Sequence, residues 1–241
     1  MHTISGRVKS EARRNYADMS GIGQLREGPL HAALKAWLAR PGDRLEVPVD
    51  GYVIDLVRAD GELVEIQTGS FSPLRSKMDA LLDRHRVRIV HPIAALRRIV
   101  RVDADGTILS VRPSPKRPRA TAVFEGLVSF PTLLGHPHLV VELLLCSEDH
   151  VRAPAPVRGR RYLRDPGERR LIEVLERVEL SGPADAAGLL PALDGEFTTR
   201  ELATAMGEPL ALAQKAAACL RALELVEPAG MRGRAPLYRF A

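Results

Sequence analysis

Cysteine is nearly absent: Cys146 and Cys219 are the only two, far apart and outside any C-x-x-C spacing. That excludes a disulfide framework and a thiolate zinc site. No apolar run approaches the roughly 18 residues needed to span a bilayer, and the first residues contain no apolar signal core. These absences predict a cytoplasmic protein with no membrane partner. Phosphate-binding glycine loops are missing, in both the G-x-G-x-x-G and the Walker form, and so is G-x-S-x-G. Nucleotide-cofactor, NTPase and serine-hydrolase chemistry therefore find no support. Lysine is scarce, occurring only at positions 9, 35, 77, 116 and 215.

What is present has globular proportions. The 241 residues are 45% hydrophobic and 27% charged, enough for a sizeable core in one or two domains. The formal charge is +5, carried almost wholly by arginine. Arginine offers a planar fork that grips phosphate with two hydrogen bonds. The balance points to nucleic acid as a partner.

Residues 1–24 read as a polar arm. Helical spacing of Leu30, Ala33, Leu34, Trp37 and Leu38 predicts a helix over 25–40, ended by Pro41-Gly42. Strand-like runs follow at 44–49, 51–57 and 62–68, then a helix over 72–86 and a strand over 87–93. Residues 96–103 and 106–112 read as a hairpin around Asp105-Gly106. This order predicts an α/β or α+β layer with a mixed sheet. RPSPKRPR (112–119) reads as a linker. A helix is expected over 120–134, an apolar run over 139–146 and another helix over 171–180. The expected units are thus an arm (1–24), a first domain (25–112), a basic connecting region (113–170) and a last domain (171–241).

The hairpin at 51–69 carries the chemistry. A two-residue turn on Asp60-Gly61 would set Asp55 opposite Ile66. A three-residue loop, 59–61 with Gly61 left-handed, would set Ile54 against Ile66, Leu56 against Val64 and Asp55 directly opposite Glu65. The second register matches apolar with apolar and puts Gln67 on the face of Glu65. Two facing carboxylates repel and lose solvation. A hard divalent cation, Mg²⁺ or Mn²⁺, would relieve both.

Asp55 followed by Glu65-Ile66-Gln67 one hairpin later resembles the PD-(D/E)XK, restriction-endonuclease-like nucleases in their E-x-Q form. The order helix, three-strand meander, helix, strand resembles their core over about residues 25–93. The resemblance implies Asp55, Glu65 and Gln67 as catalytic residues and Glu27, Asp55 and Glu65 as metal ligands. Gln67 would stand where that family usually has lysine, and Lys77 of the second helix would reach the phosphate instead. His31 lies one turn after Glu27 and packs in the helix or meets the same site. Ser70, Ser72 and Arg75 follow the Gln67 strand end, where they would meet DNA backbone. His91, His136 and His138 lack metal-ligand spacing and are assigned to strand ends and loops.

Residues 196–241 resemble a winged helix-turn-helix. Thr198 and Glu201 form a capping box, Gly207 ends the first helix, and a hairpin follows the second. Lys215, Arg221, Arg232 and Arg234 are its candidate nucleic-acid contacts. Arg158, Arg160, Arg161 and Arg164, around Tyr162, form the densest basic cluster, suited to phosphate tracking. The expected function is a Mg²⁺- or Mn²⁺-dependent DNA endonuclease in DNA repair or in defence against mobile DNA, with DNA as partner and a second copy or another protein as the further candidate partner. The alternatives are an inactive nuclease-fold DNA-binding regulator and a protein-interaction scaffold.

Overall fold

A computed structural model describes residues 28–153 and 167–241, and the backbone alone of 157–158 and 161–162. The architecture is mixed α+β: a seven-stranded mixed sheet with helices on both faces, and a smaller three-stranded sheet. Helix α1 (Pro29–Leu38) opens with proline at its first position, where the missing amide costs nothing. Strands β1 (Arg44–Val49), β2 (Tyr52–Val57) and β3 (Leu63–Ile66) form an antiparallel meander. A 3₁₀ turn at Ser72–Leu74 leads into α2 (Arg75–Leu81). Strand β4 (Val87–Val102) then returns parallel to β3. The order expected over 25–93 is the order observed.

Several expectations change after residue 93. Residues 96–103 continue β4, past an irregularity between Ile93 and Leu96, instead of starting a new strand. β4 is therefore 16 residues long, and one edge serves two partners: β3 against its first half, and β5 (Ile108–Pro113) against its second. The expected helix over 120–134 is three short pieces: a 3₁₀ turn at Ala120–Val123, α3 (Phe124–Leu127) and a 3₁₀ stretch at Pro131–Gly135.

The apolar run becomes β6 (Leu139–Arg152), parallel to β4 in the middle of the same sheet. Residues 113–170 thus supply a central strand as well as a connection. β7 (Val157–Arg158) and β8 (Arg161–Tyr162) make a small antiparallel pair. LIEVLERVEL, expected as a helix, is part of strand β9 (Glu168–Leu180) on the outer edge of β6. Its arginines and glutamates answer charges on β6: Arg177 binds Glu142, and Arg169 binds Glu148. Cross-strand pairing overrides a pattern that also fits a helix.

The C-terminal part holds α4 (Pro183–Gly188), β10 (Phe197–Thr198), α5 (Thr199–Met206), α6 (Leu210–Ala222), β11 (Val226–Arg232) and β12 (Ala235–Phe240). The small sheet runs β10-β12-β11. The Thr198–Glu201 capping box forms, and Gly207 closes α5 in the left-handed region.

Two apolar layers sandwich the large sheet. On one face α1 packs Leu30, Leu34 and Leu38 against Leu56, Val64, Ile66 and Val90. On the other, α2 and α3 join Ile54, Leu63, Ile89 and Val141, and the same buried cluster continues into α5 and α6. No helix among the described residues is long and apolar enough to cross a membrane.

Candidate active site

The β2–β3 hairpin adopts the three-residue loop. Arg58 and Glu62 are joined by an amide–carbonyl bond of 2.9 Å, Gly61 has φ 86°, and Leu56 faces Val64. The ladder then stops. Ile54 and Leu56, two residues apart, pack on opposite faces of the sheet, which a regular strand forbids. The break falls at Asp55, and on the neighbouring strand Glu46 has a left-handed φ of 51°. Ile54 therefore does not face Ile66 as expected; it joins the cluster of Leu63, while Ile66 joins that of α1.

At this fork each carboxylate takes an amide from the other strand. Ile66 donates its N–H to Asp55 Oδ2 at 2.8 Å, where a continuous ladder would use the Ile54 carbonyl. The Asp55 amide donates to the Glu65 carboxylate. The two acidic side chains then part. Asp55 turns to α1, with His31 Nε2 at 3.2 Å and Lys35 Nζ at 4.0 Å. Lys35 also binds Glu46 at 2.8 Å. Glu65 turns to α2, where Lys77 donates both to it and, at 2.8 Å, to the Val53 carbonyl.

The two environments pull in opposite directions. Burial works to raise the Asp55 pKa, but the His31 hydrogen bond, the Ile66 amide and the charges of His31 and Lys35 outweigh it and hold it below the ordinary range. Burial wins at Glu65, and the Asp55 charge adds to it, so its pKa is raised despite Lys77. A pair with divergent proton affinities is what acid–base work needs.

Gln67 lies just beyond, but its side-chain amide is turned onto the Ser70 carbonyl. Its backbone is fixed twice: its N–H reaches the Val90 carbonyl at 2.9 Å, and its carbonyl accepts from His91 Nδ1 at 2.6 Å. Arg169 Nη1 donates to the next carbonyl, Thr68, at 2.9 Å. Ser70, Ser72 and Arg75 are engaged internally: Ser70 with Ser72, Ser72 with Ser129 and Arg75 with the Ser129 carbonyl.

Among the described residues no three His, Cys, Asp or Glu side chains are placed to hold a metal ion. Glu27 lies outside the described residues. Asp55 and Glu65 still match the donor chemistry of Mg²⁺, which often takes one or two carboxylates and completes its shell with water and phosphate oxygens. Thiol chemistry has no place, since burial pushes Cys146 and Cys219 up to about 12. His138 Nδ1 donates to the Leu82 carbonyl at 2.9 Å, and the His136 ring packs edge-on to that of His138.

The remaining expected nucleic-acid contacts divide. Arg160 and Arg164 lie outside the described residues, as do the side chains of Arg158 and Arg161. Lys215 is bound to Glu125, and Arg232 to Glu201 at 2.6 Å. Arg221 and Arg234 are exposed. Arg221 lines a cleft of about 330 Å³ between α6 and β12, with Gln214 and Tyr238. Sequence reasoning missed Lys35 as a site residue. The signal was there, because Lys35 lies one helical turn after His31.

Residues 28–181 match the family described as "Domain of unknown function (DUF8091)". A protein of Treponema pallidum (strain Nichols), described as uncharacterized, is 31% identical over 222 residues, covering 90% of this chain and 87% of its own length. No solved structure matches.

Proposed function

We propose that this chain, which belongs to the family described as "Domain of unknown function (DUF8091)", is a divalent-metal-dependent DNA endonuclease of the PD-(D/E)XK type whose last 46 or so residues form a winged helix. One observation carries the reading: Asp55 and Glu65 flank the β2–β3 fork, each accepting an amide from the other strand, and the next helix supplies a lysine, Lys77, to Glu65. Lys77 thus takes the place left by Gln67 in the strand motif. The α5–α6 pair followed by the β11–β12 hairpin supports the winged-helix part.

Asp55 and Glu65 would hold Mg²⁺ or Mn²⁺, which when bound supplies positive charge against the charge growing on an attacked phosphate. Lys77 would leave Glu65 for a phosphate oxygen, as a point charge with three donors. His31 keeps Asp55 oriented and ionised. The backbone bonds to Gln67 and Thr68 hold the end of β3 still.

The test is cleavage of labelled duplex, single-stranded and branched DNA in Mg²⁺, Mn²⁺ or EDTA, beside Asp55→Ala, Glu65→Ala and Lys77→Ala. Cleavage should need metal and fall at least ~10²-fold in each variant. A second reading, an inactive nuclease-fold DNA-binding regulator, is favoured by one feature: His31 and Lys77 already bind the two carboxylates, and Gln67 is turned away. It predicts binding without cleavage, unchanged by Asp55→Ala.

A further inference from the structure

The outer half of the large sheet carries an arginine face that none of the site residues above explains. Strand register defines it. Arg97 pairs with Glu148, Ile99 with both Arg112 and His150, His150 with Arg169, and Arg101 with Arg152. Directly paired residues share a face, and so do alternate residues along a strand. Arg97, Arg101, Arg112, Arg152 and Arg169 therefore project from one side of four strands, β5, β4, β6 and β9. Leu171, which pairs with Glu148, packs with the α1 layer, so this is the face that α1 covers further along.

The charge on this face is unbalanced. Glu148 is its acidic member, fully buried and taken up by Arg97 at 2.6 Å and Arg169 at 2.8 Å. Arg101 and Arg112 are exposed. Arg152 has a buried Nε with no hydrogen-bond partner among the described residues, although one Nη atom lies 3.4 Å from His150. At about 3.3 Å per residue and 4.8 Å per strand, the patch measures roughly 13 by 14 Å. It begins beside the fork, because Arg169 holds the Thr68 carbonyl at the end of β3.

We propose that this face is a nucleic-acid track. Arg101, Arg112 and Arg152 grip successive backbone phosphates, and Arg97 and Arg169 neutralise Glu148, the acid on this face among the described residues. Guanidinium forks presented on a flat sheet fit the regularly spaced charge of a DNA backbone. The inference rests on the nucleic-acid reading above, and it adds the route by which the strand reaches Asp55 and Glu65.

Binding measured in EDTA separates the two. Fluorescence anisotropy would follow the full chain on labelled duplex and single-stranded DNA across a range of NaCl concentrations. Arg101→Gln/Arg112→Gln would be compared with Arg40→Gln/Arg200→Gln, an equal charge change at exposed sites elsewhere. The first pair should weaken binding about tenfold or more and lower the salt slope by about 2, with the control pair within twofold of wild type. Thermal melting checks that both variants fold. Equal losses in both pairs, unchanged affinity in the first, or binding only to an acidic polypeptide would overturn the proposal. Cleavage by wild type with unchanged binding by Arg101→Gln/Arg112→Gln would remove the track and leave the nuclease. Weakened binding with no cleavage by wild type would keep the track and remove the nuclease.

Discussion

His91 ties the chemistry of the fork to the stability of the molecule. Its ring is packed edge-on to Phe71 with centroids 4.8 Å apart, and Nδ1 donates to the Gln67 carbonyl. Burial lowers its pKa to about 4; the Gln67 carbonyl opposes this, and the Arg169 charge adds to it. In the unfolded chain the group titrates near 6.5. Between those values the unfolded state binds more protons, so acid favours unfolding. The contribution of a neutral His91 is whole above pH 6.5 and is lost as pH falls towards 4. Over that interval wild type should lose on the order of 3 kcal/mol more than His91→Gln, by urea unfolding at stepped pH. Parallel curves for the two proteins would show that His91 carries no such penalty. Asp55 acts lower on the scale. Its depressed pKa adds stability above its ordinary 3.8, which is lost as pH falls further, whereas the raised pKa of Glu65 costs stability as pH rises through it.

The β2–β3 hairpin shows at the level of an element what pattern reveals and what it hides. Apolar matching alone selects the three-residue loop, because only that register sets Leu56 against Val64. Gly61 pays no steric penalty at φ 86°, and a Cβ there would meet nothing within 4 Å. Gly61→Ala should therefore cost only the left-handed conformation, about 1–2 kcal/mol in equilibrium unfolding, with Gly61→Asn costing less. A larger loss would mean that the loop makes contacts a side chain disrupts. The break at Asp55 was not legible, since it arises from a side chain replacing a carbonyl in the ladder, and alternation assumes that none does. The partners of Asp55 were half legible: His31 was in reach by its helical position, and Lys35 was passed over. Strand β9 misled for a different reason. Leu171, Val174, Leu175 and Val178 recur at helical spacing, and only the buried Glu142 and Glu148 on β6 make a strand the better home for Arg177 among them and Arg169 just before them. Those partners lie outside any local window of sequence.

At the scale of the whole molecule, the family match ends at residue 181, but the core does not. Phe124, Leu127 and Leu134 are fully or almost fully buried, and they belong to one cluster with Leu202, Leu212, Ala216 and Leu220 from α5 and α6. Polar contacts cross the same boundary. Arg119 donates to the Met206 and Gly207 carbonyls and pairs with Glu208 at 3.1 Å, while Thr121 donates to Glu208 at 3.0 Å. The end of α5 is thus capped by Arg119, which precedes the 3₁₀ turn at 120–123, and α3 packs with α6 in one cluster. Removing residues 182–241 would expose an apolar surface that the sheet-bearing part cannot cover alone, and it would free a row of polar groups built for those partners. A fragment ending at 181 should aggregate or bind a hydrophobic dye strongly, with loss of near-ultraviolet circular dichroism. A fragment that stays monomeric and melts cooperatively, as wild type should, would instead make the C-terminal unit an attachment. The distinction bears on mechanism. If α6 is locked against α3, its exposed edge at Gln214 and Arg221 and the arginine face of the large sheet hold fixed positions on one body, and DNA gripped by one is presented at a set distance to the other.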